Sequence, residues 1–147
     1  MTDIHHRIGV QGPSPDDVYA ALTTTDGLAG WWTRDTTGDP GLGGKIAFRF
    51  PAGGFDMEVI ETTPAERVRW RVVDGPSEWI GTTIDWRISR TDTHTIVLFS
   101  HEGWAEPVEF LYHCSTKWAT YLMSLKALLE TGTGSPAPAD VPISDWD

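Results

Sequence analysis

One run of residues near the end of the chain constrains how everything before it can fold. From about Glu106 to Glu130, apolar residues recur at Leu111, Cys114, Trp118, Tyr121, Leu122, Leu125, Leu128 and Leu129. This is the spacing of a long helix with one buried face. No earlier segment is as long or as periodic. The segments before it alternate with a period of two, so the chain reads as antiparallel strands closed by a single long helix. Such a helix must bury its stripe against a curved sheet, and a sheet curved around one helix encloses a cavity. The sequence therefore describes a container.

The pass along the chain supports this order. Ile4 to Gln11 reads as a strand ended by Gly12-Pro13. Ser14-Pro15-Asp16-Asp17 opens a first short helix, with Ser14 as cap, Pro15 where a missing N–H costs nothing and two acids at the positive end of the dipole. Asp26 is expected to cap a second short helix carrying Leu28, Trp31 and Trp32. Thr36 to Gly44 holds four glycines and a proline and reads as a loop. Strands are expected over Lys45 to Phe50, Phe55 to Glu61, Arg67 to Val73, Trp79 to Ser89 and Thr95 to His101. In the third of these, Val68, Trp70 and Val72 face inward and Arg67, Arg69 and Arg71 face water. Ile96-Val97-Leu98-Phe99 is apolar throughout, as in a strand buried on both faces. The expected fold class is α+β: a curved antiparallel sheet of about six strands wrapped around a long C-terminal helix, with two short helices after the first strand. Residues 1–132 form the single domain, and the Pro/Ala-rich residues 133–147 are expected as a loose tail.

With 147 residues the chain has enough length for a full core. Its formal charge of −10 argues against nucleic acid and against an anionic membrane surface as partners. The single cysteine, Cys114, excludes an internal disulfide and suits a reducing cytoplasm. No apolar signal core and no stretch of membrane-spanning length are evident. A composition rich in Asp, Thr, Gly and Pro and poor in Lys suggests a GC-rich bacterium. Eight tryptophans exceed what packing usually asks of so small a domain, which places some of them on a cleft.

The order of elements, with Pro15-Asp16-Asp17-Val18-Tyr19-Ala20-Ala21-Leu22, Gly30-Trp31-Trp32-Thr33, Gly43-Gly44-Lys45, His101-Glu102-Gly103-Trp104 and Trp118 through Gly134 with Pro136, resembles the SRPBCC (START-like, helix-grip) superfamily. More closely, it resembles the branch named after the activator of the ninety-kilodalton heat-shock chaperone's ATPase. The resemblance implies a sheet gripping the C-terminal helix with a cavity between them that binds hydrophobic or aromatic small molecules, including lipids or polyketides. A minority of members catalyse cyclisation, dehydration or hydrolysis. No universal catalytic motif exists to transfer, and fold analogy alone supplies no function.

Candidate ligand-binding residues are Trp31 and Trp32 at the expected cavity mouth, and Phe48, Phe50, Met57, Trp70, Trp86 and Phe99 on inward strand positions. His101 is the inward polar group of its strand, and Trp118 and Tyr121 lie on the long helix. Each has a plain alternative as core. His101 is the one weak catalytic candidate, as acid or base near neutral pH, against the alternative of a structural histidine bonded within the fold. Tyr112 and His113 are adjacent, so only one of them points inward. Glu61 keeps the inward parity of its strand, as a buried carboxylate or one leaning into solvent. His5, His6 and His94 have no metal-site spacing, Cys114 falls on the buried stripe as inert packing, and the Gly38 to Gly44 loop lacks a phosphate-loop context. No metal and no cofactor are therefore expected. The first functional reading is a cytoplasmic protein that binds a hydrophobic or aromatic small molecule. An enzyme using the same cavity, a chaperone-ATPase-activating module and a cavity filled by its own tryptophans are the alternatives. Exposed sheet edges offer a route to a homodimer.

Overall fold

A computed structural model describes residues 1–147. The elements run β1 (Thr2–Val10), α1 (Pro15–Thr23), α2 (Thr25–Trp31), β2 (Asp35–Gly38), β3 (Lys45–Phe50), β4 (Gly53–Thr63), β5 (Arg67–Asp74), β6 (Thr83–Arg90), β7 (Thr95–Trp104) and α3 (Glu109–Thr131). The strands form one antiparallel sheet in the order β1-β7-β6-β5-β4-β3-β2. This is the helix-grip arrangement, with α3 lying along the concave face. No helix is long and apolar enough to cross a membrane.

Local chemistry explains most boundaries. Ser14 and Asp17 form a reciprocal capping box and Pro15 occupies the first helical turn of α1. The cap of α2 is Thr24, whose hydroxyl accepts the Gly27 N–H at 3.0 Å. The expected Asp26 cap instead lies in the first turn. Helix α3 ends at Gly132, whose φ of 87° supplies the left-handed cap.

Four expectations need correction. The sheet has seven strands, because Asp35–Gly38, inside the segment read as a loop, pairs with β3 from Asp35↔Arg49 to Gly38↔Ile46. A four-residue edge strand between glycines carries too little periodicity to register in sequence. The strand expected from Trp79 begins only at Thr83, because Trp79 to Thr82 form a turn closed by Thr82 N–H donating to Trp79 O. Glu61 does not face inward. The β4–β5 register steps from Val59↔Trp70 to Glu61↔Arg69, so a bulge at Ile60 reverses the parity and carries Glu61 to the outer face. There it lies 3.6 Å from Arg67 and 3.9 Å from Arg69. The apolar run in β7 is not buried on both faces, since Leu98 is exposed on the outer one.

The core is one cluster between the sheet and the helices. Trp31, Trp70, Trp86, Phe48, Phe99, Ile46, Met57 and Leu125 are fully buried in it. Rings meet edge to face, as Trp31 and Trp86 do with centroids 5.5 Å apart, the geometry aromatic quadrupoles favour. Residues 133–147 lie against the domain instead of hanging free. Ala137 N–H donates to Trp32 O and Arg34 N–H to Ala137 O, and Ser135 N–H donates to the Ser124 hydroxyl. A Cβ on Gly134 would stand 2.5 Å from Gly30 O, so glycine allows the crossing over α2.

Candidate functional site

A cavity of about 710 Å³ opens between the β3–β4 turn, the outer half of α3 and the C-terminal segment. Helix α2 delivers Trp32 at its C-terminus, and the hairpin delivers Phe50 and Phe55. The β5–β6 connection adds Trp79. Along α3, Phe110, His113, Cys114, Lys117, Trp118 and Tyr121 line the wall, a stripe at three- and four-residue steps beside the core-facing one. The C-terminal segment closes the remaining side with Ala137, Pro138, Asp140, Pro142, Trp146 and Asp147.

The wall is built of flat rings. Phe55 and Trp79 stack at 4.0 Å with planes 10° apart, and Trp79 and Trp118 at 5.9 Å with planes 15° apart. Trp32 meets Trp118 at 4.9 Å. Trp146 packs on Phe110 and His113 at 6.2 and 5.6 Å.

The sequence-derived candidates divide in two. Trp32, Phe50, Trp118 and Tyr121 line the cavity. Trp31, Phe48, Met57, Trp70, Trp86 and Phe99 lie in the core behind it. The inner part of the container is therefore filled by the protein's own rings, and open space remains toward the hairpin and the C-terminal segment. His101 also lies outside the cavity wall. Its Nδ1 accepts the Trp118 indole N–H at 3.2 Å, and its Nε2 donates to the Thr82 hydroxyl at 2.8 Å. That hydroxyl in turn donates to Trp79 O. Both ring nitrogens are engaged in the neutral tautomer, and burial lowers the pKa to about 3. His101 thus has the bonding of a structural histidine and holds the two cavity-wall tryptophans in register.

Of the adjacent pair on α3, Tyr112 is exposed and His113 faces the cavity, its Nδ1 2.7 Å from the Ser144 hydroxyl. Burial pushes the Cys114 thiol up to about 12, so it is a poor nucleophile at neutral pH. His5 bonds Ser100 and His6 bonds Ser115 O, on opposite faces of β1.

The polar end of the cavity is a clasp. Lys117 Nζ donates to Asp140 at 2.5 Å, Asp147 at 2.8 Å and Val141 O at 2.9 Å. The Tyr121 hydroxyl donates to Asp140 at 2.9 Å. Burial works to lower the pKa of Lys117, but the bonds from Asp140 and Asp147 outweigh it and raise the value. Burial works against the Asp147 charge, yet Lys117 and the N–H groups of Ser144 and Ile143 hold its pKa at about 2. Tyr121 is raised by burial and by Asp140.

Sequence reasoning missed Phe55, Trp79, Phe110, His113, Lys117, Asp140, Trp146 and Asp147 as wall residues. The stripe from Phe110 to Tyr121 was readable as a second helical ridge. Nothing in the sequence marks residues 136–147 as a wall, because prolines and acids there have no periodicity.

A family model described as Activator of Hsp90 ATPase homolog 1-like protein matches residues 13–130. No curated protein matches the chain. Among solved structures, the Aha1 dimer from Colwellia psychrerythraea is 44% identical, with a TM-score of 0.84, over 91% of this chain and 100% of that one. CalU16 from Micromonospora echinospora is 20% identical, with a TM-score of 0.79, over 97% of this chain and 74% of that one. DynU16, from the dynemicin biosynthetic locus, is 22% identical, with a TM-score of 0.73, over 90% of this chain and 48% of that one. At these identities the last two show a shared fold.

Proposed function

The chain belongs to the family of Activator of Hsp90 ATPase homolog 1-like proteins, and from that premise we propose that it binds a small apolar or aromatic molecule in the cavity beside α3. The observation that carries this reading is the open space of about 710 Å³ lined by Trp32, Phe55, Trp79 and Trp118. Its size falls in the range of roughly 300–1,000 Å³ typical of small-molecule sites, as does its apolar lining with few polar groups. Burial of apolar ligand surface, about 25 cal/mol per Å², supplies the driving force before ordering costs.

The enzyme alternative loses its acid–base candidate, because His101 has no nitrogen free for a substrate. Binding without turnover is the better-supported reading. Assembly as a homodimer is proposed alongside it, on the ground that the 44% identical relative is described as a dimer. Sedimentation equilibrium tests this directly, since a species of 16.3 kDa at all concentrations sinks the dimer. The chaperone-activating reading rests on the family description alone. A cytoplasmic setting is proposed from the single buried cysteine.

Titration of tryptophan emission with neutral polycyclic aromatics, flavonoids and sterols tests the binding reading. Saturable quenching by one class supports it, and its loss in Trp118→Leu locates the site. A folded protein that responds saturably to no class refutes it.

A further inference from the structure

The charge inventory of the cavity narrows its ligand. Its only ammonium is Lys117, and the carboxylates facing it are Asp140 and Asp147. All three donors of Lys117 are used by one stretch of chain, Asp140, Val141 and Asp147. The three charged side chains are 16 to 19% exposed, so they interact in a medium poorer in water than the surface. One cation against two carboxylates leaves a net negative end. The other polar groups, the Tyr121 hydroxyl and His113, are also bonded to the C-terminal segment, at Asp140 and Ser144. The adjoining groove shares Phe50 and Gly54 and brings in Arg49, but that guanidinium is bound to Asp56 at 2.7 Å. The rest of the wall is aromatic rings, prolines and small residues without charge.

An entering carboxylate therefore meets no free positive donor. To reach Lys117 it must displace Asp147, a competitor tethered to the same chain and so present at a high effective concentration. A neutral ring pays no such penalty, and a cation is attracted to the net negative end that Asp140 and Asp147 create. Resting on the small-molecule reading above, we propose that the cavity selects flat apolar molecules without negative charge, neutral or cationic, and that the clasp of Asp140 and Asp147 on Lys117 imposes this selection. Residues 140 and 147 lie beyond the segment that matches the family model, 13–130, so the selecting element belongs to this chain's own C-terminal segment.

Three probes with one ring system separate the possibilities: naphthalene methanol, naphthalene methylammonium and naphthalene carboxylate, titrated calorimetrically at neutral pH and fixed ionic strength. The neutral and cationic probes are expected to bind, with the carboxylate weaker by about tenfold or more. A carboxylate that binds as tightly as the neutral probe overturns the charge selection while leaving the cavity reading standing. If none of the three binds, both fall. The double variant Asp140→Asn with Asp147→Asn uncovers Lys117, and is expected to raise carboxylate affinity relative to the neutral probe by about tenfold. Adding Lys117→Met is expected to abolish that gain. A double variant with unchanged probe preference shows that the clasp is not the selector and overturns its assigned role.

Discussion

The indole N–H of Trp118 donates to Nδ1 of His101 at 3.2 Å, and burial keeps that histidine neutral. The other nitrogen is committed to Thr82. A charged imidazolium would carry a proton on both nitrogens, so one would point at the Trp118 N–H, donor against donor.

This arrangement makes stability depend on pH in a stated direction. Burial depresses the folded pKa of His101 to about 3 from 6.5, so the unfolded chain binds the proton more tightly. The stabilisation is complete above the unfolded pKa and is lost as pH falls from there toward the folded value. Between those limits the loss approaches about 1.4 kcal/mol per pH unit from this group. Urea unfolding at a series of pH values is expected to show this slope in the native protein. In His101→Gln the slope should flatten above about pH 5, where carboxylates titrate little. An unchanged slope in the variant would assign the effect to other groups.

Trp118 is the ring that core and cavity share. It touches Phe99 at 4.5 Å and Trp32 at 4.9 Å, and it is 2% exposed. Trp118→Ala removes that packing and is expected to cost about 3–5 kcal/mol. Trp118→Phe keeps a ring but leaves His101 Nδ1 without a donor, for about 1–3 kcal/mol. Chemical denaturation distinguishes the two. Equal losses would mean that the hydrogen bond, and not the ring volume, dominates at this position.

What the sequence disclosed follows from how strongly each feature is periodic. The stripe from Leu111 to Leu129 announced α3, and alternation at Val68, Trp70 and Val72 announced β5. Inward parity correctly grouped Phe48, Met57, Trp70, Trp86 and Phe99 in the interior, but parity cannot say how deep a residue lies. The cavity wall was legible only in its smaller part. Phe50, Trp118 and Tyr121 stand on regular elements and Trp32 caps one, whereas Trp79 stands in a turn and Asp140, Trp146 and Asp147 in a segment with no repeat. The Ile60 bulge misled the reading of Glu61 because an inserted residue reverses alternation without leaving any compositional trace.

Asp85 is the buried carboxylate of the outer sheet face, at 3% exposure. Burial alone would raise its pKa, but two bonds from Arg67 at 3.0 and 3.2 Å and one from Arg87 at 3.1 Å override it and hold the value below the usual range. Asp85→Ala removes the partner of these guanidinium groups, which are partly exposed and regain water, and is expected to cost about 1–3 kcal/mol. Because the folded pKa is depressed, the native contribution is present above the unfolded carboxyl value and disappears as pH falls through the folded one. Native protein and variant should therefore converge in stability toward strongly acid pH. A constant gap across that range would trace the loss to packing instead.

Lys117→Met tests whether the C-terminal wall is held by charge or by backbone. The variant keeps a stem of similar length and deletes the donors to Asp140, Val141 and Asp147. Asp140 and Asp147 then face each other without the shared cation, and like charges repel. The backbone bridge lies further back, where Ala137 N–H donates to Trp32 O and Arg34 N–H donates to Ala137 O. If the clasp governs the wall, local opening becomes easier, and the amides of Arg34, Ser135 and Ala137 should exchange about tenfold faster than in the native protein. Sheet amides in β5, β6 and β7 should keep their rates, since none bonds the segment. Trp146 should shift its emission toward that of a solvated indole as it leaves Phe110 and His113. Raising the salt concentration of the native protein should move its exchange part of the way toward the variant, because a partly exposed ion pair is still partly screened. Unchanged exchange at Ala137 would show that the bridge to Trp32 and Arg34 is sufficient. The cavity would then have a fixed wall, and Lys117 would matter for the charge of the site but not for its closure.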